Sequence, residues 1–204
     1  NLGRANDGSY YETQNYAITE SHEPGSTFKL VDLIAVLDDK KADTSTVYDS
    51  KGGRIEYYGR SVKDSNGKGY GKISLARGFE LSSNTVLVQS VYDSYKNNPK
   101  QFVDRINSYG LNKPLGLPIK GEGKPVIPQP GTNRWSGVAL PWMAFGYGLS
   151  VTPLQTLTLY NAVANDGVMV KPIFVSEIKE WNKTIKKIQY WSYQSKDLFT
   201  RNIG

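Results

Sequence analysis

The chain of 204 residues contains no cysteine. That removes disulfides, thiol nucleophiles and thiolate-bound metals, and it fits any redox compartment. Histidine occurs once, as His22. It stands four residues before Ser26 across a Pro-Gly turn, with no approach to that hydroxyl, so a Ser-His-Asp triad is set aside and His22 is expected at the surface. No apolar run approaches the ~20 residues of a membrane-spanning helix, and no signal peptide is visible. The net charge is +6, but lysines and arginines are scattered and no block of five like charges occurs, so a nucleic-acid stripe is not indicated. Mild basicity suits an anionic neighbourhood such as a cell wall or membrane surface. Gly67, Gly69 and Gly71 alternate without a preceding strand or a Gly-Lys-Ser/Thr, so no phosphate loop is formed. Asp64 to Gly69 begins like a calcium loop, yet Leu75 occupies the twelfth position, where a Glu is needed.

What the chain does have is Glu23-Pro24-Gly25-Ser26-Thr27-Phe28-Lys29, followed at once by the apolar run Leu30 to Leu37. Pro24 and Gly25 predict a turn. Ser26 opens a helix that ends near Asp38-Asp39-Lys40 and is apolar on nearly every side, which places it inside the protein. Residues three apart on a helix share a face, so the Ser26 hydroxyl and the Lys29 amine can meet. A partly desolvated lysine favours its neutral form and can activate a serine. Ser-x-x-Lys by itself is weak: it recurs at Ser65/Lys68, in a Gly- and Asn-rich loop, and at Ser176/Lys179, in an alternating stretch. Only the first copy opens a buried helix. The plainer reading makes Ser26 an N-cap and lets Lys29 reach the surface, but the third position after a cap favours Glu or Gln.

A second pattern is Ser82-Ser83-Asn84, the only Ser-x-Asn in the chain. It falls between expected helices over 74–81 and 85–95. Its hydroxyl and amide can point into one cleft, with Ser82 passing a proton and Asn84 both donating and accepting; taken alone, a helix cap by Ser83 or Asn84 is the plainer reading. Together with Trp142 to Gly148, Val151-Thr152-Pro153-Leu154-Gln155 and Asn161 to Gly167, these motifs resemble the transpeptidase domain of class B penicillin-binding proteins, the division- and elongation-type peptidoglycan enzymes. The resemblance runs from about residue 15 to about residue 179. The family's third motif, Lys-Thr-Gly or Lys-Ser-Gly, is absent: no Thr-Gly pair occurs, Ser136-Gly137 follows Trp135, and Lys183-Thr184 continues into Ile185.

The resemblance implies an α+β, β-lactamase/transpeptidase-like fold, here a partial domain over 1–204 truncated at both ends. It would hold mostly the helical lobe with a small antiparallel hairpin. It implies catalytic roles for Ser26 as nucleophile, Lys29 as its base, Ser82 as proton donor to the leaving group and Asn84 as substrate anchor, with no metal or cofactor. The implied partners are peptidoglycan stem peptides, β-lactam antibiotics and cell-division or elongation membrane proteins, with no nucleic acid. The implied location is the cell envelope, on the periplasmic side of the inner membrane, with the anchor outside this chain. Without the strand carrying the third motif, the chain alone is expected to be a poor catalyst. The alternatives are a serine β-lactamase or D,D-carboxypeptidase and, in another class, a penicillin sensor or non-catalytic scaffold. Glu122, the only acid in the 110–141 loop, sits in a Gly-Glu-Gly setting unlike a deacylating Glu.

For the remaining chain, residues 1–22 are expected to be irregular and 41–73 to be a flexible loop. A helix should start at Asn98-Pro99-Lys100-Gln101, with Asn98 as cap, and end at Gly110. Residues 110–141, rich in proline and glycine, predict a long shaped loop. Thr152 should cap the next helix, with Gln155 reaching back. Strands over 168–181 and 184–191, joined by Asn182-Lys183, should form a hairpin, and 192–204 a short frayed helix.

Overall fold

A computed structural model describes residues 2–188; the end of the expected second strand, from 189, and the helix expected over 192–204 lie outside them. The chain starts with β1 (Leu2–Arg4) paired antiparallel to β2 (Tyr10–Glu12), then a short helix α1 (Tyr16–Thr19). Residues 2–22 thus hold a hairpin and a helical turn where an irregular stretch was expected. Asn15 caps α1 by accepting from the Ala17 amide, and Ile18 anchors it in the interior.

The motif helix forms in two stages. Gly25–Phe28 make a 3-10 turn that runs directly into α2 (Lys29–Asp38). Ser26 therefore lies in the tight turn before α2 and makes no side-chain cap bond there. The interior of α2 is supplied by Val31, Ile34, Ala35 and Val36, and Lys29 and Asp32 are buried with them.

The region expected to be a loop, 41–73, is instead nested strand structure. β3 (Val47–Asp49) pairs with a later strand, and β4 (Arg54–Tyr57) forms a hairpin with β5 (Arg60–Lys63). β6 (Lys72–Ser74) closes the nest by pairing antiparallel to β3, with Tyr48 opposite Ile73. The alternation of Ile55, Tyr57 and Val62 with polar neighbours encodes this; the glycines masked it. Gly53 and Gly69 serve close packing: a Cβ on Gly53 would come 2.4 Å from the Gly69 nitrogen.

Helix α3 (Leu75–Glu80), capped by Ser74, leads through a turn to α4 (Asn84–Tyr95), capped by Ser83. α4 is central and packs against α2, α3 and two later helices. Val86, Leu87, Val88 and Val91 are entirely buried, each stabilising the fold by roughly 1.5–3 kcal/mol relative to exposure. α3 approaches α4 so closely that a Cβ on Gly78 would lie 2.4 Å from a Val86 methyl. α5 (Pro99–Ser108) buries Phe102, Val103 and Ile106. Asn98 makes no side-chain cap bond, and Gln101 reaches Asp39 instead of its own helix start. The carboxylate of Asp39 captures that end through Arg105, Gln101 and Tyr95 together.

The long segment after α5 carries no helix or strand until α6 (Ala139–Met143); Val126 makes one antiparallel bridge with Ser150. α7 (Pro153–Ala164) has the expected capping box between Thr152 and Gln155. The final hairpin is shorter than expected: β7 (Glu177–Glu180) and β8 (Lys183–Lys187) are joined by Trp181-Asn182. Trp181, at φ 53° and almost fully exposed, takes the left-handed turn position. Among the described residues no helix is long and apolar enough to cross a membrane.

Candidate active site

The turn at Pro24-Gly25-Ser26 is held from behind by the segment after α6. The Gly25 amide donates to the Gly146 carbonyl at 3.0 Å, and the Gly148 amide donates to the Glu23 carboxylate at 2.8 Å. The Tyr160 hydroxyl of α7 donates to the Thr27 carbonyl at 2.9 Å. Gly146 must be glycine: its φ is 84°, and a Cβ there would lie 2.0 Å from the Gly25 carbonyl oxygen. These contacts leave the Ser26 side chain exposed, and among the described residues it has no hydrogen-bond partner.

Lys29, one turn later, points inward and is 1% exposed. Its Nζ donates to the Ser82 carbonyl at 2.6 Å and to Ser82 Oγ at 2.9 Å. The structure thus brings Lys29 and Ser82 into direct contact, while Ser26 stands at the same end of α2 with no bond to either. Burial pulls the Lys29 amine down to about 8. Ser82 adopts φ 52°, a left-handed conformation that a non-glycine residue rarely takes. Backbone bonds from Ser82 N to Phe79 O and from Ser83 N to Gly78 O hold it there. Asn84 is half-buried; its Nδ2 donates to the Lys63 carbonyl at 2.7 Å, and among the described residues its other N–H and its amide oxygen stay free to meet a ligand.

Asp64 was not a candidate in the sequence except as the start of a rejected calcium loop. It follows β5, is 4% exposed, and bonds Ser83 and Thr85 at the start of α4. Its tie to the motif comes from folding, across about twenty residues of chain, and no local pattern announces it. Gly146, Glu23 and Tyr160 were hidden for the same reason, although Gly146 and Glu23 lay within stretches already singled out.

The profile of the penicillin-binding protein transpeptidase domain matches residues 3–198. The chain belongs to this family. It is 30% identical over 182 residues to penicillin-binding protein PbpB of Mycobacterium tuberculosis, covering 84% of this chain and 26% of that protein. The D,D-transpeptidase domain of a peptidoglycan glycosyltransferase from Eggerthella lenta superposes with TM-score 0.81 at 27% identity, over 92% of this chain and 47% of that one. Penicillin binding protein 3 from M. tuberculosis, complexed with aztreonam, superposes with TM-score 0.73 at 25% identity, over 92% and 41%. The fold is therefore the β-lactamase-like fold of the transpeptidase domains, and this chain spans about a quarter of the length of curated relatives such as PbpB.

Within this transpeptidase-family chain, His22 bridges Val151 through its backbone, while its ring lies at the surface beside Glu20 at 3.3 Å. Glu122 accepts from the amides of Leu115 and Leu117, so it braces its own loop. Among the described residues no cluster of metal-ligating side chains occurs.

Proposed function

We propose that the protein carrying this chain is a serine acyltransferase that cross-links peptidoglycan stem peptides and is acylated by β-lactams. The observation that carries the reading is the buried Lys29 amine, held against Ser82 and shifted toward neutrality one turn from an exposed serine. Ser26 Oγ attacks the carbonyl between the two terminal D-alanines. Its proton passes to Lys29, and the oxyanion forms beside the Ser26 amide at the start of the helical turn, where the dipole favours negative charge. A second amide, on the strand that bears the family's third motif, completes that hole. Lys29 and Ser82 then deliver the proton to the departing D-alanine. Asn84 holds the peptide through its free amide groups. An amine from a neighbouring strand attacks the acyl-enzyme, forms the cross-link and returns Ser26. The names of the relatives and the aztreonam complex of one of them support this chemistry. The same reading places the protein in the cell envelope, at the periplasmic face of the inner membrane, among division or elongation proteins.

The test is labelling by a fluorescent penicillin of this chain and of one extended past Gly204, each beside Ser26→Ala. Labelling of the extended chain, lost in Ser26→Ala, is the expected result. A folded extended chain that does not label contradicts the reading and leaves a non-catalytic scaffold. Rapid hydrolysis of a chromogenic cephalosporin in place of a persistent adduct makes it a β-lactamase.

A further inference from the structure

Two buried carboxyl groups lie near Lys29, and their surroundings are opposite. Asp32, one turn along α2 from Lys29, is 0% exposed, and among the described residues neither of its oxygens has a hydrogen-bond partner. Asp64, just past the end of β5, is 4% exposed and well supplied with donors. Its Oδ1 accepts from the Thr85 amide at 2.9 Å and from Ser83 Oγ at 3.1 Å, and its Oδ2 accepts from Thr85 Oγ1 at 2.8 Å and Ser83 Oγ at 3.2 Å. It also faces the N-terminus of the twelve-residue helix α4, whose dipole favours an anion. A charged carboxylate in a dry interior is tolerated only where donors replace its water. Asp64 has an amide and two hydroxyls; Asp32 has none.

Asp64 is joined to the amine through a short chain of contacts. Lys29 Nζ holds Ser82, and the next residue, Ser83, holds Asp64. The same region grips the other side of the motif, because Lys63, its neighbour, accepts from Asn84. We propose that Asp64 is a positioning residue of the acylation site: it carries the negative charge that faces Lys29 and pins the Ser82–Asn84 turn, while Asp32 keeps its proton. This rests on the reading of Ser26 and Lys29 given above. The proton that leaves Ser26 is taken by Lys29, the resulting ammonium is balanced at a distance by Asp64, and the Asp32 proton stays where it is throughout. A carboxylate touching the amine would fix it as ammonium and spoil it as a base. With the charge one residue beyond Ser82, the cation is supported without a direct ion pair.

The experiment is carbon-13 NMR of the protein labelled at the aspartate carboxyl and lysine ε carbons, with signals assigned through Asp32→Asn, Asp64→Asn and Lys29→Met. At neutral pH the wild-type Asp32 carbon should resonate as a carboxylic acid and Asp64 as a carboxylate. Asp64→Asn should lower the Lys29 titration midpoint by on the order of half to one pH unit, because a like-placed neutral amide no longer favours the ammonium. Asp32→Asn should leave that midpoint in place. If Asp64→Asn does not fold, the Asp32 carboxyl shift, assigned through Asp32→Asn, and the response of the Lys29 midpoint to that variant decide. An ionised Asp32 or a protonated Asp64 at neutral pH overturns the proposal. So does a Lys29 midpoint that ignores Asp64→Asn or moves with Asp32→Asn. A purely structural Asp64 would cost stability without moving Lys29. No readout here uses acylation, so a protein that titrates as stated and is not labelled by penicillin overturns the acyltransfer reading alone.

Discussion

Lys29 is the residue on which the chemistry turns. A lysine in water is almost entirely ammonium at neutral pH. With its amine brought down to about 8 by burial, about a tenth of it is the neutral base at pH 7. The sign of the pH dependence follows. Neutral amine increases as pH rises through about 8, so the second-order rate of penicillin acylation should climb through that region and level above it. Stopped-flow or gel-based acylation rates across pH check this; a rate that is flat through that range would remove Lys29 as the base. Lys29→Ala should slow acylation by roughly 10²- to 10⁴-fold, the usual worth of a positioned base, with the fold retained in circular dichroism. A loss below tenfold would mean that another group takes the proton.

At the scale of elements, the site is a turn clamped between two supports. One is the backbone of the segment after α6, where Gly146 meets Gly25. Gly146→Ala forces a Cβ into that contact and an unfavourable φ. It should cost about 3 kcal/mol, lowering the midpoint of thermal unfolding by roughly 6–12 °C, and should reduce acylation as the Ser26 turn shifts. An unaltered melting temperature would show the contact to be slack. Thr152→Ala is the contrasting case. It removes half of a capping box at the start of α7, should cost about 1 kcal/mol, and should leave the acylation rate of the folded protein unchanged.

The same elements show how much of the fold could be read from the sequence. The helices carried their own signals: Ser74, Ser83 and Thr152 sit at their caps as residue type and spacing imply. The motif turn was legible as a turn, but its 3-10 form was not, because tertiary contacts from Gly146 and Tyr160 shape it. The strands of 47–74 were missed because Gly, Asp and Ser, counted as loop formers, here pack backbone against backbone at Gly53 and Gly69. Asn98 makes no side-chain cap bond among the described residues, and the Gln101 side chain goes to Asp39, far away in sequence, instead of back to its own helix start. Ser26, Lys29, Ser82 and Asn84 could be named from two short motifs, whereas Asp32 and Asp64 acquire meaning only from what surrounds them in space.

On the scale of the molecule, α2, α4 and α5 form one buried core, and the site lies where that core meets the β4–β5 hairpin and the segment that follows α6. The lysine is held inside against the Ser82 turn, and the serine stands outside at the same end of α2. The atom acylated in this chemistry is Ser26 Oγ. The most direct measurement is peptide mass spectrometry of the protein after incubation with benzylpenicillin. A single penicilloyl adduct is expected on the peptide that contains Ser26, absent in Ser26→Ala. An adduct on Ser82, or none on a folded protein that extends through the family's third motif, would contradict it.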